Sequence, residues 1–255
     1  MRTKVLLAVV ALVAAVGLVG CWTSSPVVYA PSSTVYGMVT LVVNNSTDFS
    51  IVESSARTTP WNAGVPDSLT IDAGKFLVRS VQFVNGSDYI VDTDITAADE
   101  QQDESNSWIP FQGPYVLAVT GTESKSLGFR TVEAGNFNAL SLVLHKGKTT
   151  DNLGDDTDMI GRSVLVTGKV WYGNRADAFV FDIDLRTEIV IPGDFAVPES
   201  ESPEYVVQFN VGRWFYFGDR WLDPNKVENL PMIYRNIQHQ IIGGRDYDSD
   251  GEIGY

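Results

Sequence analysis

From residue 35 onward the chain is built almost wholly of short runs rich in Val, Ile, Thr, Tyr and Phe, cut at intervals by Gly, Asn, Asp and Ser. β-Branched and aromatic side chains fit a pleated, half-buried surface, and the residues between the runs are turn formers. Strands are predicted at 35–43, 49–53, 68–71, 76–84, 89–92, 115–120, 128–132 and 140–145, then at 163–172, 178–185, 188–191 and 205–210. Phe179, Phe181, Ile183 and Leu185 alternate with Val180, Asp182, Asp184 and Arg186, the pattern of a strand with one buried face. The expected fold class is therefore all-β, an antiparallel β-sandwich or two of them. A C-terminal amphipathic helix is predicted over 231–242. Pro231 suits a first helical turn, Ile233, Ile237 and Ile241 fall at i, i+4 and i+8, and Gly243-Gly244 closes the segment. Asp223-Pro224 supplies an N-cap and first-position pair ahead of it.

Two stretches interrupt the strands. Residues 94–107 and 148–160 are polar and acidic; Asp151, Asp155, Asp156 and Asp158 crowd the second, which reads as a surface loop. That loop divides the chain into an expected β-sandwich domain at 35–148 and a second β-rich domain at 160–255 bearing the helix. Ala73-Gly74-Lys75-Phe76 and Ala134-Gly135-Asn136-Phe137 echo each other, each after an acidic residue, and read as two equivalent strand entries.

The start of the chain has a different composition. Arg2 and Lys4 precede an apolar run from Val5 to Val19, and Gly20 and the lone cysteine, Cys21, follow. A basic start, a short apolar stretch and a small residue before a cut describe a secretory signal over 1–20. The run is shorter than the roughly 17–25 residues that span a bilayer. Leu18-Val19-Gly20-Cys21 resembles the lipobox of bacterial lipoproteins. The resemblance implies that Cys21 is diacylated and becomes the mature N-terminus, with 21–34 as a tether rich in Ser, Pro and Thr. Each buried acyl methylene contributes about 0.8 kcal/mol, so two or three chains hold a folded body firmly at a membrane. Trp22, standing where an aspartate would favour inner-membrane retention in an enteric-type cell, points to the outer membrane or cell surface. Cleavage removes two cations and no acid from 18 Lys+Arg and 32 Asp+Glu, changing the net charge from −14 to −16. Such a chain repels nucleic acid, whose binding needs Lys and Arg. With no second cysteine, the exported body rests on its core or on metal.

The best functional motif is Asp246-Tyr247-Asp248-Ser249-Asp250-Gly251-Glu252. Alternate carboxylates converge on one hard cation, and the glycine permits the sharp turn. The run resembles the first half of the calcium loops of the EF-hand and dockerin types. The resemblance implies side-chain ligands from Asp246, Asp248 and Asp250 and a backbone carbonyl from Glu252. Position twelve, the bidentate acid of those loops, falls beyond Tyr255, so the remaining ligands are expected from water, the rest of the fold or the terminal carboxylate. The competing reading is a solvated acidic tail.

The run Trp214-Phe215-Tyr216-Phe217, with Trp221 nearby, reads as a strand that spends its aromatics on core packing. If exposed, Trp214, Tyr216 and Trp221 would form a stacking platform for sugars or a protein partner. Trp61 and Trp108 lie in loop-like stretches and join them as candidate binding aromatics. The two histidines, His145 and His239, read as structural, and no metalloprotease, nucleophile-elbow, dinucleotide or haem motif occurs. As a whole the chain resembles the lipid-anchored β-sandwich proteins of Gram-negative envelopes. The expected function is a calcium-stabilised binding or structural module that recognises a protein or glycan. The alternatives are a carbohydrate hydrolase using two carboxylates, and a subunit of an envelope protein complex.

Overall fold

The computed structural model describes residues 34–44, 64–85, 110–119 and 122–254. The leader, Cys21, the tether before Thr34, the strands predicted at 49–53 and 89–92, Trp61 and Trp108 lie outside the described residues. The chain within them is mostly strand, with one short α-helix. In chain order the strands are β1 (Thr34–Asn44), β2 (Ser68–Val84), β3 (Phe111–Ala118), β4 (Thr122–Glu133), β5 (Gly135–Leu144) and β6 (Val164–Tyr172). They continue with β7 (Arg175–Ile183), β8 (Thr187–Val197), β9 (Glu204–Asn210), β10 (Tyr216–Phe217), β11 (Arg220–Trp221) and β12 (Ile241–Asp246). The helix, α1, is Leu230–His239.

One sheet runs β12-β9-β1-β4 and a larger one β7-β6-β2-β5-β8, with β3 also on β2. Most pairs are antiparallel, but β1 and β9 are parallel, which corrects the purely antiparallel expectation. Both sheets feed one apolar cluster that includes Val39 and Leu41 of β1, Phe76 of β2, Leu140 of β5, Val166 of β6 and Phe209 of β9.

The loop at 148–160 is not the domain boundary expected of it. β1 pairs with β9, β2 with β6, and β5 with β8, so strands from either side of that loop share both sheets. Thr34–Tyr255 forms one compact unit. A charged loop marks where chain leaves a sheet, and it carries no information on which sheet the next strand joins.

β2 is one strand of 17 residues, where the turn-like Ala73-Gly74 step predicts two. That step is interior to it, beside a register shift between Ile71 and Ala73. Gly74 stands there because of crowding: a Cβ would lie 2.6 Å from Val119 Cγ2 and 2.7 Å from the Leu165 carbonyl. At Leu77 the partners on one edge change. Its N–H donates to the Ser163 carbonyl (2.8 Å) and its carbonyl accepts from His145 N–H (3.5 Å). N–H and C=O of one strand residue point the same way, so β6 and β5 succeed each other along that edge.

The segment 145–163 leaves and returns at this junction. It covers Leu77 and Val116 with Leu153 and Met159, a second small apolar cluster. Its acids hold it down. Asp151 pairs with Arg79 (3.0 Å), both side chains about nine-tenths buried, and accepts from Lys148 N–H (2.7 Å). Asp156 and Asp158 each reach the Lys75 ammonium at 2.9 Å and hold it above its ordinary range.

Tyr205 of β9 is 1 % exposed and donates to the Ala196 carbonyl; burial pushes its phenol up to about 12. The unfolded phenol titrates near 10, so this contribution is complete below pH 10 and is lost as pH rises to about 12. Urea titrations are expected to show stability falling between pH 10 and 12, with a shallower slope in Tyr205→Phe. An equal slope in the variant would show that Tyr205 does not titrate with unfolding.

Candidate metal centre

β12 is the edge strand of the smaller sheet, and its register brings Asp246 opposite Glu204 of β9. The chain then turns back on itself. Ser249 adopts φ 60° and Gly251 φ 84°, the left-handed region that suits glycine. Gly254 N–H returns to the Arg245 carbonyl (3.0 Å) and closes the loop. Asp246 is 7 % exposed and organises the turn: Oδ1 accepts from Ser249 N–H (2.7 Å) and Oδ2 from Gly251 N–H (2.9 Å). Asp250 Oδ1 accepts from Glu252 N–H (2.8 Å).

The loop brings together Asp246, Asp248 and Asp250, each offering one carboxylate oxygen, all within 4.8 Å of one another. Asp248 and Asp250 are exposed. Each carboxylate oxygen has two lone pairs, so the oxygens of Asp246 bonded to backbone keep one apiece. Three carboxylates this close repel one another, and a hard divalent cation offsets that repulsion while taking oxygen ligands. The Glu252 side chain is exposed and not one of the three. Beside the loop, Arg245 pairs with Glu201 (2.6 Å) and lies over the Tyr247 ring (5.0 Å).

The aromatic run folds differently from its predicted strand. Val211–Phe215 is a 3-10 turn, and only Tyr216–Phe217 pairs, with Arg220–Trp221. Trp214 and Phe215 are both fully buried, Trp221 is 6 % exposed, and Tyr216 is half-buried against it (centroids 5.1 Å apart). Trp214 and Trp221 therefore belong to the core and are removed from the candidate binding aromatics. In a tight 3-10 turn consecutive side chains need not alternate between faces, so a strand-based assignment of faces fails here.

α1 ends three residues before the predicted limit. Ile233 and Ile237 are buried on it as expected, whereas Ile241 is buried as the first residue of β12. Gly243 and Gly244 sit in that strand opposite Val207 and Val206. Gly244 is small because a Cβ would lie 2.4 Å from Ile253 Cγ2. Asp223 caps no helix: it is buried, accepts from Tyr172 O–H (2.5 Å) and Asn225 N–H (2.9 Å), and holds a turn. His145 is 1 % exposed, with Nδ1 2.7 Å from the Lys146 carbonyl, and burial lowers its pKa.

The basic residues around the aromatic run carry almost no signal in the sequence. Arg213 comes from the 3-10 turn and Arg235 and His239 from α1, yet they line one cleft with Tyr216 and Phe217. Only the i, i+4 spacing of Arg235 and His239 within the predicted helix points to it. No protein-family model, curated protein or solved structure matches this chain.

Proposed function

We propose that the chain is a lipid-anchored binding module of a bacterial envelope or cell surface, stabilised by calcium, that recognises a protein or a glycan. The observation that carries the reading is the convergence of Asp246, Asp248 and Asp250 at the end of β12. Alternating acids in a disordered tail have no reason to meet, whereas a calcium loop needs them to. The membrane anchor rests on the basic start, the short apolar run and the lone Cys21. In this reading the two large sheets face each other as a sandwich, since one apolar cluster draws on both. A binding role is favoured over two-carboxylate hydrolysis because, among the described residues, the basic cleft has no acid in its lining.

Calorimetric melting of the full chain in calcium and in chelator tests the metal. Calcium is expected to raise the melting temperature, with a gain of about 2.7 kcal/mol at a hundredfold excess over Kd. Asp248→Asn with Asp250→Asn should abolish the shift, because both side chains are exposed and their loss leaves the core intact. Superimposable melts in calcium and chelator would remove calcium from the reading. The anchor is checked in bacterial cells expressing the chain: a fatty-acid probe should label it and fail to label Cys21→Ser.

A further inference from the structure

A cleft of about 310 Å³ opens between the 3-10 turn Val211–Phe215, β10 and α1. Arg213, Arg235 and His239 line it, and among the described residues its lining contains no carboxylate. Acids outnumber bases 32 to 18 in this chain, so two arginines and a histidine gathered along one cleft run against the charge of the molecule. Local positive charge in such a field concentrates anions at one place.

The backbone that carries these groups is fixed. Asn236 is 6 % exposed on α1, and its amide donates to the carbonyls of Arg213 (3.3 Å), Trp214 (3.0 Å) and Tyr216 (2.9 Å). One buried side chain therefore locks the 3-10 turn onto the helix. Arg235 and His239 stand one helical turn apart and share a face, while Arg213 comes from the opposing element. Between them Tyr216 is braced edge-on by Trp221 (5.1 Å, 69°), and Phe217 is 41 % exposed. The core does not use that exposed ring.

We propose that this cleft binds an oxyanion carried on a sugar ring, a uronate carboxylate or a sulfate ester. Planar guanidinium groups match either oxyanion with two parallel hydrogen bonds. His239 adds a ring donor. The exposed ring of Phe217 takes the apolar face of the sugar. The volume lies at the small end of ligand pockets, about 300–1,000 Å³, and suits one or two rings. The inference rests on the binding-module reading and names its ligand class, but it uses neither the calcium loop nor the lipid.

The test is isothermal titration of the full chain in detergent with an oligogalacturonate, a sulfated oligosaccharide of equal length, a neutral one and inorganic phosphate. At least one acidic saccharide is expected to bind, more weakly as salt rises, and about tenfold or more above the neutral sugar and phosphate. The tighter of the two acidic ligands identifies the oxyanion. Arg213→Gln and Arg235→Gln should each weaken binding by about tenfold, Arg235→Gln at an unchanged melting temperature, and Arg235→Lys should recover only a fraction of the loss. Saccharide affinity should be the same in calcium and in chelator, so failure of the calcium effect and failure of the cleft's ligand are distinguishable. No binding of either acidic saccharide, full affinity in both Gln variants, or phosphate binding as tightly as the saccharides would each overturn the proposal.

Discussion

Trp214→Ala is expected to lower stability by about 3–5 kcal/mol, because it empties a fully buried indole site that neighbours cannot refill. Trp214 packs edge-on against Phe76 of β2 (5.6 Å, 67°), and Phe76 in turn contacts Phe209 of β9 (4.5 Å). The side chain thus couples the 3-10 turn to strands of both large sheets. For a unit of this size the loss corresponds to a fall of about 10 °C in melting temperature. Trp214→Phe should cost much less. Among the described residues the indole Nε1 has no hydrogen-bond partner, so that change forfeits volume but no polar contact. Phe217→Ala, at a side chain 41 % exposed, should shift melting little. If Trp214→Ala melted with the parent, the indole would not be a core element and the account of the aromatic run would fail.

The second large effect is expected at Asp151. Asp151→Ala leaves the Arg79 guanidinium without the partner it meets at 3.0 Å, and that side chain is 11 % exposed. An uncompensated buried charge costs about 3–5 kcal/mol, and here the Lys148 N–H also loses its acceptor. Replacing both partners, Arg79→Met with Asp151→Leu, should recover most of the loss, since it removes the charge and not merely its partner. Asp156→Ala should cost under about 1 kcal/mol, because its bridge to Lys75 is about a third exposed and screened by solvent. Urea midpoints at constant m-value measure all three. A midpoint for Asp151→Ala no lower than that of Asp156→Ala would refute the buried-pair reading.

These two sites show what kind of information the sequence carries. The alternation predicted over 178–185 appears in β7 as far as Ile183, with Phe179, Phe181 and Ile183 buried and Val180 67 % exposed, while Asp184 and Leu185 lie beyond the strand's end. Strand identity is a local property: side chains alternate every residue, and one face is covered. The loop after β12 is legible for the same reason, since the D-x-D-x-D-G spacing is read within one turn. Arg79 and Asp151 are 72 positions apart, and nothing near either residue names the other. Gly74 and Gly244 read as punctuation in the sequence, yet each stands inside a strand where another chain segment passes too close for a Cβ. A glycine required by a turn and one required by crowding look the same in the sequence.

By itself, then, the sequence determined the β character of the chain, the inward face of its regular strands, the short helix and the acid spacing of its last loop, because each is set by residues a few positions apart. The tertiary structure alone decided that strands on either side of residues 148–160 share two sheets, that β1 and β9 run parallel, that Trp214 is buried, and that Arg213 meets Arg235 and His239 across one cleft. Those outcomes depend on which distant surfaces bury each other. Apolar burial is non-directional, so the residues that share a face do not specify the segment that will cover it.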